Sequence, residues 1–342
     1  MAIYWVTLLI TATIYITIVL GLNIEYGIGG ILNFAYITFV AVGAYVTAVV
    51  TLGKTNEFGI SQTFILQWSL PWPLALLLAG AASALLSLVM TFAIMQRLRS
   101  DYMAICVVAL GTVIWTIFGN VTWLFNGVQG LSGVPRPYSG LGIDTNGGLT
   151  GDLVFLCITS ATALASYLVA RRIYSSPFGR LLRGIREDPD VVATFGRSVL
   201  RGRAVVFVLG SFMAGVGGGL LVMQVGAWNP NAFLPPETFI LFAAVIIGGS
   251  GRPLGAVIGA VLVEVGFTEA LRYLPETLSA SVVGGIELVA VGLLLILTMR
   301  FRPQGLFPED IPAIYRKRAA PPARGDIPPE LVAAAAGSEE QP

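Results

Sequence analysis

Glu264 and Glu287 each stand inside a long apolar run, where an ionised carboxylate is expensive and ordinarily faces a bundle interior or a water-filled cavity. Two chemistries fit them: a proton or cation site of the kind a secondary transporter uses, or structural groups that hydrogen-bond across helices. The chain has no His, and no Lys or Arg in the same runs is placed to pair with them, so the structural reading is preferred. A second polar group lies nearer the start, where Asn23, Glu25, Asn33 and Tyr36 interrupt the apolar stretch Gly21–Val50 and Gly27, Gly29 and Gly30 loosen any helix. Polar, Gly-rich backbone at membrane depth is tolerated only where protein buries it or where it lines a cavity. These residues are therefore either a translocation pathway or a short inner-face turn at Asn23–Gly30 ahead of an ordinary span.

Other chemistries are excluded by what is missing. Gly53-Lys54-Thr55 looks like the end of a phosphate-binding loop, yet the pattern needs a glycine where Ala48 stands, and no buried strand precedes it. ATP hydrolysis therefore has to come from another chain. Without His there is no His-based triad and no His-ligated metal site, and Cys106 and Cys157 both lie in apolar runs that suit neither a disulfide framework nor a metal. No nucleophile–base pair supports an intramembrane enzyme. The net charge of +1 is spread over basic residues grouped in loops and tail, without interleaved aromatics, so nucleic acid is not a partner.

The elements that must hold these residues follow from composition. With 56% hydrophobic and 11% charged residues and a mean hydropathy of +0.81, the chain reads as an all-α, polytopic membrane protein. Spans are expected at residues 3–22, 31–50, 72–96, 102–119, 153–170, 204–227, 237–249, 253–274 and 282–299. That makes about eight to ten transmembrane helices, some short or broken, in a domain over residues 1–307, followed by a disordered cytoplasmic tail over residues 308–342. The stretch at 237–249 is short enough to be re-entrant instead. Gly251, Gly255 and Gly259, four apart, predict a face for close helix packing. With the N-terminus outside, all of the 20 Lys and Arg residues fall on the inner side except Lys54, Arg136 and Arg272.

Eight of those basic residues lie between Arg171 and Arg203, and the grammar of that stretch is helical. Ser176-Pro177 is a helix start, and Phe178, Leu181, Leu182 and Ile185 recur at helical spacing. Asp188-Pro189 starts a second, shorter helix with Val191, Val192 and Phe195 as its apolar face, and Gly196 stands where a left-handed residue would end it. Two short amphipathic helices at the inner surface have the form of a docking device, or of surface helices held against lipid by their apolar face and arginines.

GLNIEYGIGGILNFAYITFVAVGAY from Gly21, NGVQGLSGVP from Asn126, LRGIREDPDVVATFG from Leu182, IIGGSGRPLGAVIGA from Ile246 and FRPQGLF from Phe301, in this order, resemble the membrane-spanning permease subunits of ABC importers for branched-chain amino acids, the LivM/LivH family. The resemblance implies that residues 177–196 form a cytoplasmic coupling helix segment that enters a groove on an ATPase, with Ile185, Glu187, Asp190, Val192, Ala193, Phe195 and Gly196 at the contact. Val191 and Val192 stand where the family commonly has an Ala-Ala pair, a departure that bears on which ATPase is matched. The same resemblance implies a bacterial-type inner (plasma) membrane with the C-terminus cytoplasmic, no cofactor bound by this chain, and ATP and Mg hydrolysed by partners. Those partners would be a homologous permease, two cytoplasmic ATPases and an external solute-binding protein, with lipid around the spans. Branched-chain or other hydrophobic amino acids are the expected solutes; urea or short amides are the alternative, and a secondary transporter using Glu264 and Glu287 is the second alternative.

Overall fold

A computed structural model of the chain describes residues 2–53, 68–95, 100–137, 149–267, 269, 280–302 and 304–308. Runs of Leu, Ile, Val and Ala carry no polar side chain to compete with the backbone, and the described residues are accordingly helical almost throughout. In order they are α1 (Ala2–Leu22), α2 (Tyr36–Thr51), α3 (Trp72–Met90), α4 (Ser100–Asn120), α5 (Thr122–Phe125), α6 (Leu149–Ser175), α7 (Pro177–Glu187), α8 (Pro189–Thr194), α9 (Val199–Val225), α10 (Glu237–Gly248), α11 (Pro253–Ala260) and α12 (Ala280–Phe301). Six helical stretches are long and apolar enough to cross a membrane, beginning at Ala2, Trp72, Tyr102, Leu149, Val199 and Pro230. Tyr36–Thr51, Pro253–Gly266 and Val289–Phe301 are apolar but shorter.

Two features depart from the spans read in the sequence. First, α1, α3 and α11 each widen into a π-helix at the C-terminal end, over Asn23–Ile28, Thr91–Met95 and Val261–Phe267. Second, the charged stretch is a shorter loop than expected, because α6 continues to Ser175 and α9 already begins at Val199. Arg171, Arg172, Arg201 and Arg203 thus ride on helix ends, where a long aliphatic stem can stay apolar while the guanidinium reaches water.

The bundle is built around α9. Gly215 faces Gly43 of α2 so closely that a methyl group on Gly43 would collide with the Gly215 carbonyl, and Gly218 lies in the same way against the Val40 carbonyl. Gly217 fits against Ile18 of α1, while Gly219 fits against Thr47 of α2 and Leu76 of α3. Removing side chains on every side of one helix lets three neighbours approach it at once. Polar side chains fasten the crossings: Ser83 Oγ donates to the Phe39 carbonyl at 2.8 Å and Thr13 Oγ1 to Thr159 Oγ1 at 2.8 Å. At the end of α9 away from α7 and α8, two short strands, β1 (Leu131–Ser132) and β2 (Ala227–Trp228), pair antiparallel. Trp228 is buried there against Tyr45 and Phe118, with ring centroids 5.1 and 5.4 Å away.

Helices α10 and α11 form a hairpin, with Gly255 against Gly248 and Gly259 against the Ala244 carbonyl. Gly251 is not on that helix face. It lies in the connecting turn at φ +89°, because Pro253 opens α11 only after it. The chain after α12 returns to the hairpin, with the Leu306 amide donating to the Ile247 carbonyl at 2.9 Å and the Phe307 amide to the Gly248 carbonyl at 3.0 Å. The compact unit runs from Met1 to Pro308. The expected tail beyond it lies outside the described residues.

Candidate functional site

Local chemistry builds the helix pair between α6 and α9. Ser176 Oγ accepts from the Gly179 amide at 3.1 Å, with Pro177 in the first turn, which starts α7. Asp188 Oδ1 accepts from the amides of Asp190 and Val191 at 2.9 and 3.1 Å and so starts α8. Gly196 follows at φ +71°, a left-handed position that a β-branched residue would hold only under strain. Nothing lies within 4 Å of where its Cβ would be, so the constraint there is the backbone and not crowding.

The pair has an inner and an outer side, and they divide the residues expected at a docking contact. Leu182 and Ile185 are fully buried, the latter against Gly202 of α9, and Val192 packs back on Gly184. Ile185 therefore holds α7 to the bundle and Val192 holds α8 to α7, both buried within the chain, a correction to the expectation that they lie at the contact. Its physical reason is that the glycine at 202 leaves a slot at the end of α9 into which the apolar stripe of α7 fits. Glu187, Asp190, Ala193 and Gly196 are on the outer side. Val191 and Phe195 are there too, 49% and 77% exposed, as an apolar pair that the chain itself does not cover.

Beneath α7 lies the polar group of the first apolar stretch. Glu25, on the π-helix after α1, is fully buried; its Oε2 accepts from Asn33 Nδ2 at 2.8 Å and its Oε1 from Ser211 Oγ of α9 at 3.3 Å. Asn23 Oδ1 accepts from the Gly251 amide at 2.9 Å, and Tyr36 Oη donates to the Ile18 carbonyl at 2.8 Å and lies 3.2 Å from that of Gly210. Asn23 Nδ2 and Asn33 Oδ1 are buried with no hydrogen-bond partner among the described residues. Asn23, Asn33 and Tyr36 are thus brought together with Glu25, and protein covers all four. Above them, Arg186 Nη1 of α7 donates to the Gly27 carbonyl of the same π-helix.

The other two acids lie elsewhere in the chain. Glu264 is half-buried on the π-helix after α11, and Glu287 is on α12 with its side chain outside the described residues. Ser211 and Arg186 were missed as site residues in the sequence. Ser211 carried a signal, a hydroxyl in an otherwise apolar helix, whereas Arg186 was one arginine among eight. A groove of about 450 Å³ between α3, α6 and α9, lined by Trp72, Leu76, Thr162, Ser166, Phe212 and Val216, is almost wholly apolar and suits hydrocarbon better than a polar solute.

A family model described as the permease component of branched-chain amino acid transport systems matches residues 4–299. The high-affinity branched-chain amino acid transport permease LivM of Escherichia coli K12 is 30% identical over 331 residues, covering 92% of this chain and 72% of that protein. A probable LivM of Methanocaldococcus jannaschii is 27% identical, covering 86% of this chain and 91% of that protein. The guanosine ABC transporter permease NupQ of Bacillus subtilis is also 27% identical, with 80% and 82% covered. No solved structure matches.

Proposed function

This chain belongs to the family of branched-chain amino acid transport permeases, a multi-pass integral membrane protein, and from that premise we propose that it is the translocating subunit of an ATP-driven importer for branched-chain or other hydrophobic amino acids. The observation that carries the mechanism is the outward apolar pair Val191 and Phe195, in and just after α8, the second of two capped helices of which α7 is locked to α9. A separate ATPase docks on that pair and on the acids Glu187 and Asp190 around it. Binding and hydrolysis of ATP with Mg in the ATPase dimer move the docked helices, and the bundle alternates its access. The chain itself breaks no covalent bond. A second permease, two ATPases and an external solute-binding protein complete the assembly in a bacterial-type inner membrane, with the C-terminus in the cytoplasm.

The solute is the finer part of the proposal. Two of the relatives named above carry branched-chain amino acids in their names and one carries guanosine, so a nucleoside is the reading to test against. The test is uptake by vesicles holding the assembled transporter, with leucine, guanosine and urea supplied in turn. Leucine uptake that requires ATP supports the proposal. Uptake of guanosine alone, or uptake driven by an ion gradient without ATP, overturns it, the latter in favour of a secondary transporter using Glu264 and Glu287.

A further inference from the structure

We propose that Arg186 is the positioning residue through which the docked helices drive the bundle, by way of the Gly27 carbonyl; the inference rests on α7 and α8 being the ATPase-docking elements. Three motifs that docking itself does not use are joined in series, FRPQGLF to the start of GGSGRPLG and GGSGRPLG to NIEYGIGG, the last of which forms the π-helix Asn23–Ile28 behind α7. As α1 ends there, the amides of Gly29, Gly30 and Ile31 turn back to the carbonyls of Ile24, Tyr26 and Glu25, bypassing Gly27. A helix C-terminus carries partial negative charge on such carbonyls, and the Arg186 guanidinium caps this one with a charge-assisted hydrogen bond.

The segment so held has two attachments to other helices, and one of them leads on to a third element. Glu25 binds Ser211 of α9, and Asn23 binds the Gly251 amide in the α10–α11 turn. The residues just before that turn, Ile247 and Gly248, in turn hold Leu306 and Phe307 of the chain after α12. One arginine on the docked helix therefore grips the end of α1, which is tied directly to α9 and the α10–α11 turn and, through the end of α10, to the final segment. Gly30, at φ +66°, leaves the seat for the arginine stem, since a Cβ there would stand 2.7 Å from Arg186 Cγ. Arg183, on the same helix, lies over the Tyr174 ring of α6 at 5.0 Å. A displacement of α7 pulls on a backbone carbonyl in a widened helical turn, which can shift only with its neighbours.

The test uses the complete transporter in vesicles, with Arg186→Gln and Arg186→Lys beside the parent. The Gln variant is expected to keep ATPase association and basal hydrolysis to within about twofold while solute-stimulated hydrolysis and transport fall by at least about fivefold, the range of ordinary site-to-site coupling. Lys, which still offers a charged donor, restores part of that loss. Full coupled transport in the Gln variant overturns the inference, and so does loss of ATPase association, which would make Arg186 part of the docking surface. A measurement on the unaltered protein guards against a variant that does not fold: hydrogen exchange at Gly29, Gly30, Ile31 and Gly251 should differ between nucleotide-free and ATP-bound assemblies. A difference confined to residues 177–196 counts against Arg186 as the link. Failure of the docking reading itself shows separately, as absence of any ATPase with the parent chain.

Discussion

Glu25 shows how a single residue can be both legible and misplaced by sequence reading. Its position within an apolar run marks it as polar at depth, but the run alone leaves open whether it lines a pathway or closes a turn. The deciding fact is tertiary: Ser211 and Asn33 donate to its carboxylate from positions 186 and 8 residues away in the chain. Removing the acceptor strands two buried donors, at about 1–3 kcal/mol for such a group. Glu25→Ala should therefore lower the thermal midpoint in detergent, and Glu25→Gln, which keeps an acceptor, should lower it less; equal midpoints for Ala and parent would show that the two hydrogen bonds carry no stability. Gly43 makes the same point about absence. A methyl group there meets the Gly215 carbonyl, so Gly43→Ala forces α2 away from α9 at a cost of about 1–3 kcal/mol, to be read in the same melt. The glycines of α9 were visible in the sequence as a run, yet which of them face another backbone depends on a partner helix that lies over a hundred residues earlier.

At the scale of elements, helix starts were readable and helix faces were not. Ser176-Pro177 and Asp188-Pro189 fix where α7 and α8 begin by bonds within a few residues, which a sequence displays directly. Which side of α7 would face the bundle depends on the slot beside Gly202, which it does not display. The π-helices were illegible for a related reason, since widening one turn adds a residue, and a helix apolar on most sides has no sharp face whose shift would reveal it. The division of faces predicts a separation of phenotypes. Phe195→Asp, on the exposed side, should leave the permease folded while ATPase co-purification fails. Ile185→Asp places an unpaired charge in a fully buried site and should instead prevent recovery of folded permease. Gly196→Val strains a backbone at φ +71° by about 1–3 kcal/mol and should weaken coupling with the fold intact. If Ile185→Asp yields stable protein that merely loses ATPase, the division is wrong. On the other hairpin, Gly259→Leu would drive a side chain into the Ala244 carbonyl, and yield of folded protein should drop.

For the whole molecule, the structure supplies the ends of the bundle and the sequence supplies their sides. Arg186 on Gly27, the Gly251 amide on Asn23, and Leu306 and Phe307 on the end of α10 gather the π-helix after α1, the docking pair, the α10–α11 turn and the last described residues at one end. Thr11 at the middle of α1 receives a hydrogen bond from Gln224 near the finish of α9, and Trp228 with Tyr45 and Phe118 marks that same opposite end. This grouping does not depend on counting spans, so the short α10 no longer decides the parity. Helices alone give no direction, but arginines at the first end do, because basic residues are retained on the cytoplasmic side. A reporter fused after Arg197, between α8 and α9, and one fused after Pro308 should both read cytoplasm, while one inserted at Gly140 should read the outside. An outside reading at both of the first two sites would invert the chain and remove the ATPase from reach of Phe195. Opposite readings at those two sites would break the grouping itself, because Arg186 on the π-helix and Phe307 on the end of α10, which the Gly251 turn ties to that π-helix, could then not lie at one end.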